Sequence, residues 1–148
     1  MIIVEEAKQS DIDALVPLLG SLFAQEAEFN ADPSKQAAGL KLILDDSSIG
    51  QILVARKDGI VIGMVNLLFT VSTALGQRVA ILDDLIVSPS ARGDGAGKRL
   101  MDAAISYCNE RAFARVSLQT DVDNHLAQRL YESRGFVRSS MLAYRKIL

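Results

Sequence analysis

The chain is expected to form a mixed α/β domain, with a mostly antiparallel central sheet flanked by helices in the order β-α-α-β-β-β-α-β-α-β. Three observations predict this. β-Branched runs and stretches of helical periodicity fill residues 1–148 with no linker, repeat or low-complexity segment, so a single domain is expected. Two long β-rich runs flank a tight Lys57-Asp58-Gly59 turn, the signature of an antiparallel hairpin. A third long run ends in a glycine cluster that opens a helix.

The elements follow in order. Ile2 to Val4 is a short strand. Ser10-Asp11-Ile12-Asp13 reads as a capping box with Ser10 as N-cap. Ile12, Leu15, Val16, Leu19 and Phe23 then recur at helical spacing, with Pro17 expected to bend the helix. Asp32-Pro33 signals the second helix, an N-cap acid followed by proline at the first helical position. Ala37, Leu40 and Leu44 form its apolar stripe. Strands are expected at Gln51–Ala55, Ile60–Val71 and Val79–Val87. A helix follows from about Gly97 to Arg111, with Met101, Ile105, Cys108 and Ala112 inward. Ala114 to Thr120 alternates as a strand, Asp123 caps a last helix through Ser133, and Gly135 stops it. Phe136 to Ile147 is expected to be a final strand.

Composition narrows the function. Of 148 residues, 49% are hydrophobic and 23% charged, which is ordinary for a globular protein. The formal charge of −2 shows no basic excess, so phosphate-neutralising nucleic-acid binding is not expected. One cysteine rules out an intramolecular disulfide, and one histidine rules out a His–His metal site, so no metal is expected. The longest nearly apolar run, Ile60–Phe69, is far short of the ~20 residues that span a bilayer, and acids follow Met1 too closely for a signal peptide. A cytoplasmic location with no membrane partner is the resulting expectation.

Chemistry concentrates in Val87 to Leu100: strand, glycine-rich turn, helix. That geometry aims backbone N–H groups and a helix N-terminus at one point, which suits phosphate. The Walker loop fails here, because it needs Gly at Arg92 and Ser or Thr at Arg99. The dinucleotide fingerprint starting at Gly93 fails at Lys98. A phosphate-binding NTPase is therefore disfavoured.

Two motifs taken together resemble the GCN5-related N-acetyltransferase (GNAT) superfamily. The first is Arg92, Gly95 and Gly97 after Val87-x-Pro89. The second is Asn124, Ala127, Leu130-Tyr131 and Gly135-Phe136. The motif-bearing part is Asp83 to Phe136. The resemblance implies acetyl-CoA as co-substrate. Its pyrophosphate would lie on the amides of Arg92, Gly93, Asp94, Gly95, Ala96, Gly97 and Lys98. Its pantetheine arm would pair with the backbone of Leu85, Ile86 and Val87, and Asn124 and Ala127 would touch its far side. Asp94 departs from the family pattern and is expected to turn to solvent. Tyr131 matches the family tyrosine that protonates the departing thiolate.

The acceptor implied is a primary amine, as a small molecule or on a peptide, and it must lose a proton before it attacks. Asp83 and Asp84 are adjacent acids in an apolar strand, and alternation puts them on opposite faces. Asp83 matches a family glutamate proposed as base but is one methylene shorter, which favours a bridging water. Asp84 is expected to orient or bind the amine. Backbone N–H groups of Leu85–Val87 would help hold the thioester oxygen as charge develops on it. Glu26, Glu28 and Asp32 lie where the family lines its acceptor site, and Phe23 and Phe29 are near them, although Phe23 fits the core stripe better. Cys108 reads as a small buried hydrophobe and His125 as a surface residue. A non-catalytic acyl-CoA-binding domain on the same fold is the alternative, and a homodimer is compatible with the resemblance.

Overall fold

The structure is a computed structural model that describes residues 1–25 and 30–148. Five strands form one sheet in the order β1-β2-β3-β4-β5. They are β1 Ile2–Glu6, β2 Gly50–Lys57, β3 Ile60–Ser72, β4 Gln77–Val87 and β5 Val116–Leu118. β1 to β4 are antiparallel neighbours, and β5 runs parallel to β4. The helices are α1 Ile12–Phe23, α2 Pro33–Asp45, α3 Ala96–Glu110 and α4 His125–Ser133.

The hairpin turn forms as expected. Asp58 and Gly59 both take positive φ, 52° and 79°, as a primed two-residue turn requires. Strand alternation then divides the core into two layers. On one face Leu53, Ala55, Val65, Leu67 and Leu82 meet Leu100, Met101, Ala104 and Cys108 of α3. On the other, Ile52, Val54, Met64 and Ile86 meet Leu15, Leu18 and Leu19 of α1 and Leu40 of α2. Burial pushes the Cys108 thiol up to about 11, so it is an inert core residue. His125 is exposed at the start of α4, as expected.

Helix starts follow the sequence in part. Asp32 caps α2 by accepting the Lys35 N–H at 3.2 Å, with Pro33 opening the helix. The Ser10 capping box does not form. Asp11 accepts the Lys8 N–H at 2.8 Å, and residues Gln9–Asp11 make a short 3-10 turn before α1. Arg56, on β2, explains the difference: it donates to both Asp11 oxygens at 2.9 and 2.7 Å and also pairs with Glu5. Burial tends to raise the Asp11 carboxyl, but the Lys8 N–H and the Arg56 guanidinium outweigh it and hold the carboxyl below its ordinary value. Arg56→Ala leaves that carboxylate buried without its guanidinium and is expected to lose about 3 kcal/mol, read from the urea midpoint. Because the folded pKa is depressed, the contribution is full above the ordinary value of 3.8 and is lost as pH falls through the lower folded value. The gap between variant and wild type should therefore close in acid.

The end of the chain departs from expectation. Among the described residues no strand follows α4, so the expected strand at 136–147 is absent. Val137, Met141, Leu142, Tyr144 and Ile147 are all at least 79% exposed. Two features account for this. β5 is only three residues long, so its outer edge offers few ladder partners. The segment also clusters its apolar residues at Met141-Leu142-Ala143 rather than alternating them. Arg145 ties the segment to the end of β5 by donating to Gln119 Oε1 at 2.8 Å.

Candidate active site

The decisive local feature is a bulge in β4. Asn66 stands opposite Asp83 and Met64 opposite Ile86, so Val65 faces two residues, Asp84 and Leu85. Asp84 absorbs the extra residue with φ 53°, an uncommon conformation for a side chain other than glycine. The consequence can be followed along the strand. Leu82 and Leu85 both pack on the α3 side, and Ile86 packs on the α1–α2 side. Two residues lie between the leucines where regular pleating allows one. Asp83 and Asp84 therefore share the α1–α2 side, which corrects the expectation that alternation sets them on opposite faces.

That side holds a pocket of about 250 Å³ between α1, α2 and the bulge. Leu19, Phe23, Leu40 and Ile43 give it apolar lining, and Asn30, Asp32, Lys35, Gln36, Asn66 and Asp84 give it polar lining. Phe23 belongs to both the core stripe and the pocket. Asn66 is 3% exposed and donates from Nδ2 to Asp84 Oδ2 at 2.8 Å. Its Oδ1 is buried without a hydrogen-bond partner. Asp83 is exposed by accessible area, yet enough protein surrounds it that desolvation raises its carboxyl above the ordinary value. The Asp84 N–H and the charge of Arg145 oppose that rise.

Beyond the bulge, β4 has an open edge. β5 pairs only with Ala80 to Leu82, so residues 83–87 have no strand on that side among the described residues. The strand leads into a 3-10 turn at Pro89–Ala91, then an extended Arg92. Gly93 and Gly95 take φ of 92° and 85°, conformations that L side chains rarely adopt. Gly95 caps α3 without a side-chain bond, and the first helical bond is Arg99 N–H to the Gly95 carbonyl at 3.1 Å. The N–H groups of Ala96, Gly97 and Lys98 thus have no carbonyl partner within the helix and point out of its positive end. This is a cradle of backbone donors. Asp94 is exposed as expected, and it is also held by Lys57 at 2.9 Å.

Comparison with known proteins decides the family. The sequence matches the Acetyltransferase (GNAT) family over residues 17–136. The chain belongs to the GNAT family. It is 38% identical over 136 residues to the uncharacterized N-acetyltransferase YhfO of Bacillus subtilis, covering 90% of this chain and 88% of YhfO. A shorter match, 40% over 52 residues, joins it to the mycothiol acetyltransferase of Renibacterium salmoninarum and covers 35% of this chain and 15% of that protein. The crystal structure of a possible acetyltransferase from Clostridium difficile 630 superposes with TM-score 0.89 over 100% of this chain and 98% of that one. At 18% identity it shows the fold alone.

In this GNAT chain the remaining expected residues fall as follows. Leu85, Ile86 and Val87 turn their side chains into the two core layers, leaving their backbone as the part open to a ligand. Asn124, not Asp123, caps α4, and its Oδ1 accepts the Ala127 N–H at 3.2 Å. Asp123 instead accepts the His125 N–H at 3.0 Å through its backbone carbonyl, in the turn that precedes the helix. The Asn124 oxygen and the Ala127 N–H thus already engage each other. Tyr131 is half-buried, packs against the α3-side core and meets Phe136 at 6.1 Å between ring centroids. Glu26, Glu28 and Phe29 lie outside the described residues. Asn66, Gln36 and Lys35 line the pocket and were not singled out in the sequence. Asn66 left one signal, as the polar residue within the apolar run Ile60–Phe69. Among the described residues no group of three or more His, Cys, Asp or Glu is placed to hold a metal ion, and no helix is long and apolar enough to cross a membrane.

Proposed function

We infer that the protein transfers the acetyl group of acetyl-CoA to a primary amine while both substrates are bound. One observation carries this reading: the edge of β4 beyond Leu82, which has no strand beside it among the described residues, runs directly into the donor cradle at Gly93–Lys98. A ligand with a strand-like amide arm and a pyrophosphate end matches both halves in sequence, the arm on the edge and the phosphates on the N–H groups. The residues present fit acetyl-CoA for that reason, and bound there it would supply an acetyl group activated as a thioester.

The chain's own groups handle the protons. The amine nitrogen attacks the thioester carbon, a C–N bond forms, and the C–S bond breaks. The proton leaving nitrogen passes to the Asp83 carboxylate, through a water given the short side chain. Tyr131 returns a proton to the departing sulfur and is restored from solvent. Asp83 serves the α1–α2 side and Tyr131 the α3 side, so the reacting atoms meet both at the open edge of β4. Asp84 binds the amine. The non-catalytic alternative keeps the cradle and lacks this proton route.

Asp83→Asn tests the assignment. The variant is expected to lose kcat most near neutral pH and to recover as pH approaches the amine pKa, about 10, where the amine is neutral unaided. The raised carboxyl pKa of Asp83 also sets the sign in acid. Wild-type rate should fall as pH drops through a value above the ordinary 3.8, because a protonated carboxyl accepts no proton. A variant with an unchanged pH–rate profile would remove Asp83 from the route.

A further inference from the structure

We propose that Lys57, at the end of β2, is a positioning residue for cofactor binding: it holds and neutralises the Asp94 carboxylate, so that the glycine loop accepts phosphate although it carries an acid. The proposal rests on the acetyl-CoA reading above and adds to that site a residue from another element. The loop is otherwise built for an anion. Asp94 is the one acid from Ser88 to Met101, in a stretch that holds Arg92, Lys98 and Arg99. Arg99 is tied to the Ile2 carbonyl at 2.9 Å, whereas Arg92 and Lys98 are exposed. Asp94 stands one residue before Gly95, the cap of α3, where the positive helix end and its N–H groups draw phosphate. A bare carboxylate at that place repels the ligand the cradle is made for.

The fold supplies the counter-charge from 37 residues earlier in the chain. The Ser88 N–H donates to the Ile62 carbonyl at 2.7 Å, which carries the β3–β4 contact up to the start of the loop. Lys57 pairs with Ile60 across the adjoining β2–β3 turn, and its Nζ donates to Asp94 Oδ2 at 2.9 Å. Asp58 also acts on the Lys57 ammonium through its charge, but the hydrogen bond to Asp94 is the larger effect, and together they raise its pKa above the ordinary value. The two side chains of the pair are 44% and 43% exposed, and an ion pair so placed adds little to stability. Its effect is therefore expected in the charge of the loop and not in the fold.

The experiment is calorimetric titration of the intact protein with CoA at low ionic strength, for wild type, Lys57→Gln, Asp94→Asn and the double variant, beside their melting curves. Lys57→Gln uncovers the carboxylate and is expected to weaken CoA binding by about threefold, the scale of one charge acting through a solvated surface. Asp94→Asn removes the acid, leaves the ammonium beside the phosphates and is expected to tighten binding by about threefold. The double variant should return close to wild type, and the four melting curves should nearly coincide. The same order is expected with dephospho-CoA, which keeps the pyrophosphate and lacks the 3′-phosphate. In 1 M salt, where charges are screened within about 3 Å, the spread should collapse. Weaker binding in both single variants with no rescue in the double would make the pair a mechanical tie, and equal affinity in all four would give it no part in binding. Either result overturns the proposal while CoA binding stands. A wild-type protein that binds no CoA would overturn the acetyl-CoA reading, and the proposal with it.

Discussion

Gly97→Val is expected to weaken CoA binding by at least tenfold, about 1.4 kcal/mol, in a protein that stays folded. Gly97 is the glycine of the loop where an added side chain would act on CoA in the proposed site rather than on the fold. It lies in the first turn of α3 outside the left-handed region, and an added Cβ would meet only Val87 Cγ2, at an ordinary 3.7 Å. The valine methyls would occupy the space in front of the Gly97 and Lys98 N–H groups, where a phosphate has to approach. Gly95 is a poorer site for this test. Its φ of 85° makes any side chain strained, by roughly 1–2 kcal/mol, so lost binding there mixes with lost stability. Calorimetric titration with CoA, beside a melting curve, gives the answer. Unchanged affinity in folded Gly97→Val would remove the loop from the binding site.

Tyr131→Phe is the second large effect. The ring keeps its contacts with Phe136 and the α3-side core, so the protein should stay folded and CoA affinity should stay near wild type. The phenol proton is lost, and kcat should fall by ~10²-fold or more if its transfer limits the rate. The effect should appear in kcat with KM little changed, as for a group that acts in the transition state. Equal rates for the two proteins, with an unaltered pH profile, would leave Tyr131 as a packing residue.

What was legible in the sequence was what neighbouring residues decide among themselves. Asp58-Gly59 makes its turn because both residues tolerate positive φ. Asp32-Pro33 starts α2 because the cap and the proline act within one turn. The glycine loop is similar, since positive φ at Gly93 and Gly95 is a local requirement. What the sequence concealed depends on groups far along the chain. Arg56, 45 residues away, claims Asp11 and moves the start of α1. The β4 bulge is a matter of cross-strand register, set by how β3 lies beside β4, and an alternation argument on one strand has no access to it. That one inserted residue moves Asp84 to the side of Asp83 and into the lining of the pocket. The pocket itself joins residues from α1, α2, β3 and β4, so no single stretch announces it. The missing last strand follows the same rule: the segment has β-prone residues, but its neighbour β5 is too short to pair them.

The most direct measurement is free-thiol release from acetyl-CoA with the intact wild-type protein and a panel of primary amines. The predicted result is amine-dependent release, one thiol for each acetylated amine, with the rate rising as the amine deprotonates. CoA binding on the loop with no thiol released by any amine would contradict the account and leave a domain that holds the cofactor without using it.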